Sequence, residues 1–215
     1  MTKFQKLTKK EKVEHIWEYY RFHILGGIIV VFMLSSLLFE IFGPQPPKPV
    51  VNVVIMGMYA HDDENVEKFK KEIEDIIDNG EQGKVEVNMF QVDWDSGSQM
   101  DMAMNQKLML MFQAKEIDVM IIEENKYDSY IVNLEEGIYE SLEDALELTQ
   151  VLEDNKDKLV KRKLANDPQE KVYGLYAKDN IKLQSIGLKD DYVVSIPTIS
   201  QHKDNAFKTI KWLYE

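Results

Sequence analysis

The chain contains 215 residues, carries a formal net charge of −12 and has no cysteine. The acidic excess argues against nucleic acid as a partner, because nucleic-acid phosphates require a basic protein face. The lack of cysteine excludes disulfide bonds and a lipid-modified N-terminal cysteine. A chain of this length can still bury an adequate core without disulfides.

The first element is an uncharged apolar run of eighteen residues, FHILGGIIVVFMLSSLLF, at residues 22–39. At about 1.5 Å per residue, a helix over this run nearly crosses a hydrocarbon core of about 30 Å. Ile41 and Phe42 lengthen it, so we predict a transmembrane helix over residues 22–42 that contacts membrane lipid. A cleaved signal peptide is the alternative, but its apolar region usually has about 7–15 residues and ends in a small-residue site. The run here ends in FEIFGPQPP, which favours a retained anchor.

The two flanks of the apolar run predict its orientation. Residues 1–23 contain six basic and three acidic residues, whereas Lys48 is the only basic residue between the end of the run and Lys68. Because basic flanks stay on the cytoplasmic side, we expect residues 1–21 to form the cytoplasmic tail of a single-pass cell-membrane protein. The four prolines of GPQPPKP, residues 43–49, predict an extended stalk. The acidic remainder, residues 50–215, is then an extracytoplasmic domain.

The first half of this domain alternates strands and helices. Three apolar runs predict buried strands, and two segments with helical periodicity lie between them. The strands are expected at residues 50–59, 84–92 and 117–123, and the helices at 65–78 and 98–115. This order predicts an α/β fold in which the three strands are adjacent and parallel, joined by right-handed crossovers. We expect three layers, with helices on both faces of a parallel or mixed sheet.

The second half of the domain is less regular. Residues 152–165 are highly charged with few apolar positions, so they predict a solvated helix or a mobile segment. The other expected elements are a turn at 133–137, a helix through 141–148, strands at 171–177 and 190–198, a short helical turn at 181–188 and a closing helix at 205–214.

Four segments carry a family resemblance. They are DVMIIE at 118–123, GIYESLEDAL at 137–146, KVYGLY at 171–176 and SQHKDNAFKTIKWL at 200–213. In this order they resemble a strand, an acidic turn, a strand leading toward the second lobe and a late helix of extracellular solute-binding proteins of the two-lobed, periplasmic-binding type. The resemblance implies that fold and either solute binding or contact with a transporter.

The chain differs from that family in one respect that changes the expected function. A dozen residues separate Ala177 from Asp190, too few for the second lobe that the family closes over its ligand. The resemblance therefore implies a single lobe, preceded here by one transmembrane helix. A single lobe lacks the opposing wall that buries most of a small ligand.

Polar residues follow the first two predicted strands, where α/β domains place ligand sites. The candidate ligand or partner contacts are Tyr59, Asp62, Asp63, Asp93, Asp95, Ser96 and Ser98. A second interpretation of residues 93–98 is that Ser96 or Ser98 caps the following helix, with Asp101 in its first turn. The Asp-x-Asp-x-Gly spacing is similar to the start of a calcium loop, but the later ligand positions do not fit. We therefore predict no metal and no cofactor.

The sequence shows no catalytic motif, and we predict that the protein is not an enzyme. NGEQGK at residues 79–84 lacks the spacing of a P-loop and is expected to end a helix. The alternating Met100, Met102 and Met104 cannot converge on a soft metal ion, because residues two apart point about 200° apart on a helix. Met104 instead shares a face with Leu108 and Met111, which predicts core filling.

Two functions remain. The first is a non-catalytic interaction or accessory module that binds an envelope or transporter protein. The second is a solute receptor completed by dimerisation or by a partner subunit. An exposed apolar patch over residues 178–189 would favour the first, and a concave pocket between residues 59–63 and 93–98 would favour the second.

Overall fold

The computed structural model describes residues 9–43, 49–57, 62–77, 83–93, 98–132, 138–163, 169–188 and 191–215. The chain divides into two units, Met1–Pro46 and Pro47–Glu215. The first unit contains one helix, α1, Lys9–Phe42. Within it, Trp17–Phe39 is long and apolar enough to cross a membrane by length and composition. The single apolar helix is as predicted, but it begins inside the segment predicted as a tail.

The second unit contains the strands and the remaining helices. The strands are β1 Pro49–Gly57, β2 Lys84–Gln91, β3 Val119–Glu123, β4 Leu159–Lys163, β5 Glu170–Tyr176 and β6 Tyr192–Ser195. The α-helices are α2 Asp63–Ile77, α3 Gln99–Ala114, α4 Glu124–Val132, α5 Thr149–Asp154, α6 Ile181–Ser185 and α7 Lys203–Tyr214. Short 3-10 helices cover Leu142–Asp144, Leu146–Leu148 and Lys156–Lys158.

The six strands form one mixed sheet in the order β2-β1-β3-β6-β5-β4. β1 is parallel to both β2 and β3, so the predicted parallel arrangement of the first three strands is confirmed. The other half is antiparallel: β6 pairs with β3, β5 with β6, and β4 with β5. The chain thus changes from crossover connections to antiparallel pairing after β3.

Two apolar clusters lie on opposite faces of this sheet, because side chains alternate along each strand. Val53 and Ile55 of β1 pack with residues of α2 and α7 on one face. Val54 and Met56 pack with residues of α3 and α4 on the other. The predicted layers of helix, sheet and helix are therefore present. One face of α2 is apolar and buried, through Phe69, Ile73 and Ile77.

Two predictions for the second half are wrong. Residues 159–163 form the edge strand β4, although their charge predicted a solvated helix or a mobile segment. Lysines are common on edge strands, and Val160 alone supplies a fully buried apolar side chain against β5. Residues 142–148 form 3-10 helices in place of the expected α-helix. The stalk residues 44–48 and the turn at 133–137 lie outside the described residues.

Candidate functional surface

The predicted site residues follow β1 and β2, whose carboxyl ends lie side by side. Gly57, the last residue of β1, is in register with Gln91, the last residue of β2. The two segments after these strands therefore leave the sheet at the same edge, as expected. Tyr59, Asp95 and Ser96 lie outside the described residues. The structure describes the other four candidates, Asp62, Asp63, Asp93 and Ser98.

Asp62 and Asp63 belong to the start of α2. The Asp62 Oδ1 atom accepts a hydrogen bond from the backbone N–H of Glu64 at 3.1 Å, and its carbonyl accepts from Val66 at 3.0 Å. Asp63 is the first helical residue, where a negative charge is favoured by the helix dipole. Both carboxylates thus have a structural role, which is to stabilise the first turn of α2.

Ser98 caps α3, which confirms the second interpretation of that segment. Its Oγ accepts from the backbone N–H of Asp101 at 3.2 Å, and its hydroxyl donates to the Asp101 carboxylate. The other Asp101 oxygen accepts from the backbone N–H of Asp93 at 3.2 Å. Asp101 is buried, so one carboxylate connects the end of the β2 segment to the first turn of α3.

The same edge of the sheet contains residues that the sequence did not single out. The Tyr192 hydroxyl donates to Glu123 Oε1 at 3.2 Å. Gly57, at φ +144°, lies against both, because a Cβ built there would be 2.4 Å from the tyrosine oxygen. A side chain at this position would therefore displace the pair. The signal for Gly57 was a glycine inside an apolar strand run, which often marks a close approach of two chain segments.

An ion-pair cluster lies beside this edge. Arg162 Nε donates to Asp128 at 2.7 Å, and its Nη2 atom donates to Glu124 at 3.3 Å. Tyr176 also donates its hydroxyl to Glu124. Partial burial, followed by the neighbouring Glu124, raises the pKa of Tyr176 above its ordinary value. Glu124 and Asp128 therefore connect α4 to β4 and β5, and both carboxylates are bonded to side chains of this chain.

Asp118 lies at the opposite end of the sheet and is 2% exposed. Its Oδ1 accepts from Ser200 Oγ at 2.7 Å and from the backbone N–H of His202 at 3.1 Å. Its Oδ2 accepts from the backbone N–H of Asn52 at 2.9 Å and lies 3.1 Å from His202 Nδ1. Ser200 and His202 both contact the Asp118 carboxylate and not each other's reactive atoms. The Ser200 hydroxyl is therefore not arranged as a nucleophile with a histidine base. The cluster joins β1, β3 and the start of α7.

Among the described residues, no group of three or more histidine, cysteine, aspartate or glutamate side chains could hold a metal ion. A groove of about 860 Å³ runs along α7 and is lined mainly by polar and charged residues, including His202, Lys203, Lys208 and Lys211. It lies away from the strand ends at which a pocket was expected for a receptor.

The exposed apolar side chains of the second unit concentrate on α3. In the part of this unit that the structure describes, six large apolar residues are exposed, and four of them are Met100, Met102, Met109 and Leu110. An apolar patch over residues 178–189, which would have favoured the interaction module, is not found in the described part, 178–188, where Ile181 is 80% exposed but Leu183, Ile186 and Leu188 are buried. The apolar surface exists, but it lies on another helix.

The inner face of α3 fills the core as predicted. Leu108 and Met111 are buried, and Met104 packs against the same cluster. The outward face spans an arc of about 120° at 100° per residue. We call it the α3 stripe, and its members, all exposed, are Gln99, Met102, Ala103, Gln106, Met109, Leu110 and Gln113. None of them is charged.

Comparison with known proteins gives no match. No family model fits the chain, no curated protein matches its sequence, and no solved structure matches it. The α3 stripe and the polar residues at the carboxyl ends of β1 and β2 are therefore the features that bear on function.

Proposed function

We propose that this protein is a membrane-anchored, non-catalytic interaction module whose α3 stripe binds protein within a cell-envelope or transport complex. In this proposal α1 is a retained single-pass anchor, the basic N-terminal segment is cytoplasmic, and the α/β domain is extracytoplasmic. The apolar window Trp17–Phe39 and the charge difference between its flanks support this arrangement.

The α3 stripe is the observation that carries the proposal. Met102, Met109 and Leu110 are 60%, 57% and 64% exposed, on a helix whose other face is already buried. Charged residues are depleted at the centres of protein interfaces, and methionine is enriched there because its flexible thioether adapts to a partner. The exposed face of α2 is the contrasting case, since lysine and glutamate residues cover it.

The scaffold is consistent with one lobe of a solute-binding protein. The order β2-β1-β3, with α2 and α3 on opposite faces, supports the proposed relationship. The connection from β5 to β6 contains α6 as its one helix in the described residues, and it is too short to hold a second lobe. A scaffold of this kind without its opposing lobe favours protein contact over the enclosure of a small ligand.

Site-specific photocrosslinking in intact cells tests the proposal. A photoreactive amino acid at Met109 of the full-length chain is expected to give a strong protein adduct. The matched control is the same probe at Lys68, an exposed residue of α2 with a side chain 74% exposed. Equal adduct yields at the two positions, or no adduct at Met109, would contradict the proposed role of the α3 stripe.

A solute receptor completed by dimerisation or by a partner subunit is the second candidate. The adjacent carboxyl ends of β1 and β2, with Asp93 exposed just after β2, favour it, because α/β domains place ligand sites at such strand ends. Sugars, peptides and amino acids at millimolar concentration should raise the melting temperature if this candidate is correct. We expect no shift, and a reproducible shift that is lost in Asp93→Ala would favour the receptor.

A further inference from the structure

We propose that the α3 stripe is covered by the same stripe of a second copy of this chain, with the two α3 helices antiparallel about a two-fold axis through Gln106. This inference rests on the proposed function, since it names the partner of the surface proposed there. The spacing, the charge and the size of the stripe bear on this arrangement.

The spacing of the stripe is symmetric about Gln106. Ala103 and Met109 lie three residues from it, Met102 and Leu110 lie four residues from it, and Gln99 and Gln113 lie seven residues from it. Residues three, four and seven apart share one face of a helix. A two-fold axis at Gln106 therefore brings every member of the stripe opposite another member. Any helical face has this symmetry, so an isologous interface requires in addition that the opposed residues be compatible in size and chemistry.

The chemistry of the opposed residues also matches. The antiparallel arrangement places Met102 opposite Leu110 of the second copy, and Ala103 opposite Met109. The Ala103–Met109 pair sets a small side chain against a large one, which allows the helix axes to approach to about 8–10 Å. Gln106 meets its own copy, and Gln99 meets Gln113, so amide groups that can donate and accept face each other. A parallel arrangement would instead place Ala103 opposite Ala103.

Charge explains why a second copy can bind at this surface. Residues 50–215 contain 19 basic and 34 acidic residues, a net charge of −15. Two copies therefore repel each other, and charged residues close to a two-fold axis would face charges of the same sign on the second copy. The α3 stripe contains no charge. The two charged residues of α3 lie off the stripe: Asp101 is buried, and the Lys107 ammonium lies 4.9 Å from the centre of the Phe90 ring.

The small size of the stripe predicts that the contact depends on the membrane. Seven residues from each copy are fewer than the roughly 20–30 per side of a standard stable interface. Copies anchored in one membrane meet at a raised effective concentration, and this compensates for a small contact. The dimer should therefore be detected with the full-length chain in membranes.

Cysteine crosslinking of the full-length chain in native membranes tests this arrangement, and the chain contains no cysteine of its own. Under mild oxidation, Gln106→Cys should form a disulfide-linked dimer, because the two Cβ atoms meet at the axis. Lys68→Cys on α2 is the matched control and should give only the collisional background. A yield for Gln106→Cys no greater than this background would overturn the proposal.

A mixed pair of variants tests the antiparallel direction. Met102→Cys and Leu110→Cys should crosslink when they are expressed together but not when either is expressed alone. Each residue would lie about 12 Å along the helix axis from its own copy, too far for a disulfide. Crosslinking of each variant with itself would show a parallel arrangement and overturn the proposal. Adding Gln106→Glu places two carboxylates at the axis and should lower the mixed yield by about fivefold.

These experiments separate the two proposals. A photoreactive probe at Met109 that forms adducts only with a different protein, together with no dimer for Gln106→Cys, would overturn the self-association and leave the interaction module intact. An absence of adducts and of dimers would overturn both. Adducts between two copies, together with the Gln106→Cys dimer and the mixed pair, would support both.

Discussion

Replacing Asp118 by asparagine preserves the size of a buried side chain but changes its hydrogen bonding. Each carboxylate oxygen accepts from one backbone N–H: Oδ1 from His202 at 3.1 Å and Oδ2 from Asn52 at 2.9 Å. Whichever way the new amide turns, its NH₂ group faces one of these donors. The variant therefore isolates the loss of acceptors without creating a cavity.

The expected cost follows from the number of bonds. A buried donor left without a partner costs about 1–3 kcal/mol. The remaining oxygen loses its charge, and each charge-assisted bond to it weakens by about 1 kcal/mol. We therefore expect Asp118→Asn to lower the free energy of unfolding by about 3 kcal/mol. For a domain of about 170 residues this corresponds to a melting temperature lower by about 6–12 °C.

Thermal unfolding of the full-length chain in detergent, followed by circular dichroism, measures this shift. Ser200→Ala removes one hydrogen bond to the same carboxylate, with a distance of 2.7 Å between Ser200 Oγ and Asp118 Oδ1, and should cost about 1 kcal/mol. Asp157→Asn makes the same change of charge at an exposed residue, so it should change stability by less than about 0.5 kcal/mol. A melting temperature for Asp118→Asn within 2 °C of that for Asp157→Asn would refute the reasoning.

Three further predictions concern burial, capping and topology. The buried Tyr127 hydroxyl has no hydrogen-bond partner among the described residues, whereas the buried Tyr214 hydroxyl donates to backbone carbonyls at 3.0 and 2.9 Å. Tyr127→Phe should therefore leave the unfolding midpoint in urea unchanged or raise it, and Tyr214→Phe should lower stability by about 1 kcal/mol. Ser98→Ala should cost about 1 kcal/mol through loss of the α3 cap, and Ser98→Thr should restore most of this in the same urea titration. In intact cells, a membrane-impermeant maleimide should label Lys68→Cys but should label Lys6→Cys only after permeabilisation, and the reverse pattern would invert the proposed orientation.

Local patterns predicted most of the first half of the domain. The β-branched runs after the stalk gave β1, β2 and β3, and the apolar stripe of α2 gave its buried face. These elements could be predicted because each depends on side chains that are close in sequence, through the alternation of a strand or the 3.6-residue period of a helix. The parallel pairing could also be predicted, because a helix between two strands returns the chain to the end of the sheet at which the first strand began.

The polar candidates were harder to interpret from the sequence. Asp62 and Ser98 were expected to follow the first two strands, and they do. The structure shows that Asp62 accepts a hydrogen bond at the start of α2, and that Ser98 caps α3, as one of the two interpretations of its segment predicted. The Asp118 cluster was missed, because its partner residues Asn52 and His202 are 66 and 84 positions away in the chain. No local period marks a buried carboxylate that depends on donors so distant.

The sequence by itself determined the apolar helix, the acidic second unit and the alternating order of its elements, because hydrophobic length and periodicity are local properties. The tertiary structure decided which apolar residues stay exposed. Leu108 and Leu110 of α3 are the same residue type two positions apart, and only the docking of the helix on β1 and β2 buries the first and leaves the second at the surface. It also decided that the charged residues 159–163 form a strand, since an edge strand takes its order from the neighbour with which it pairs.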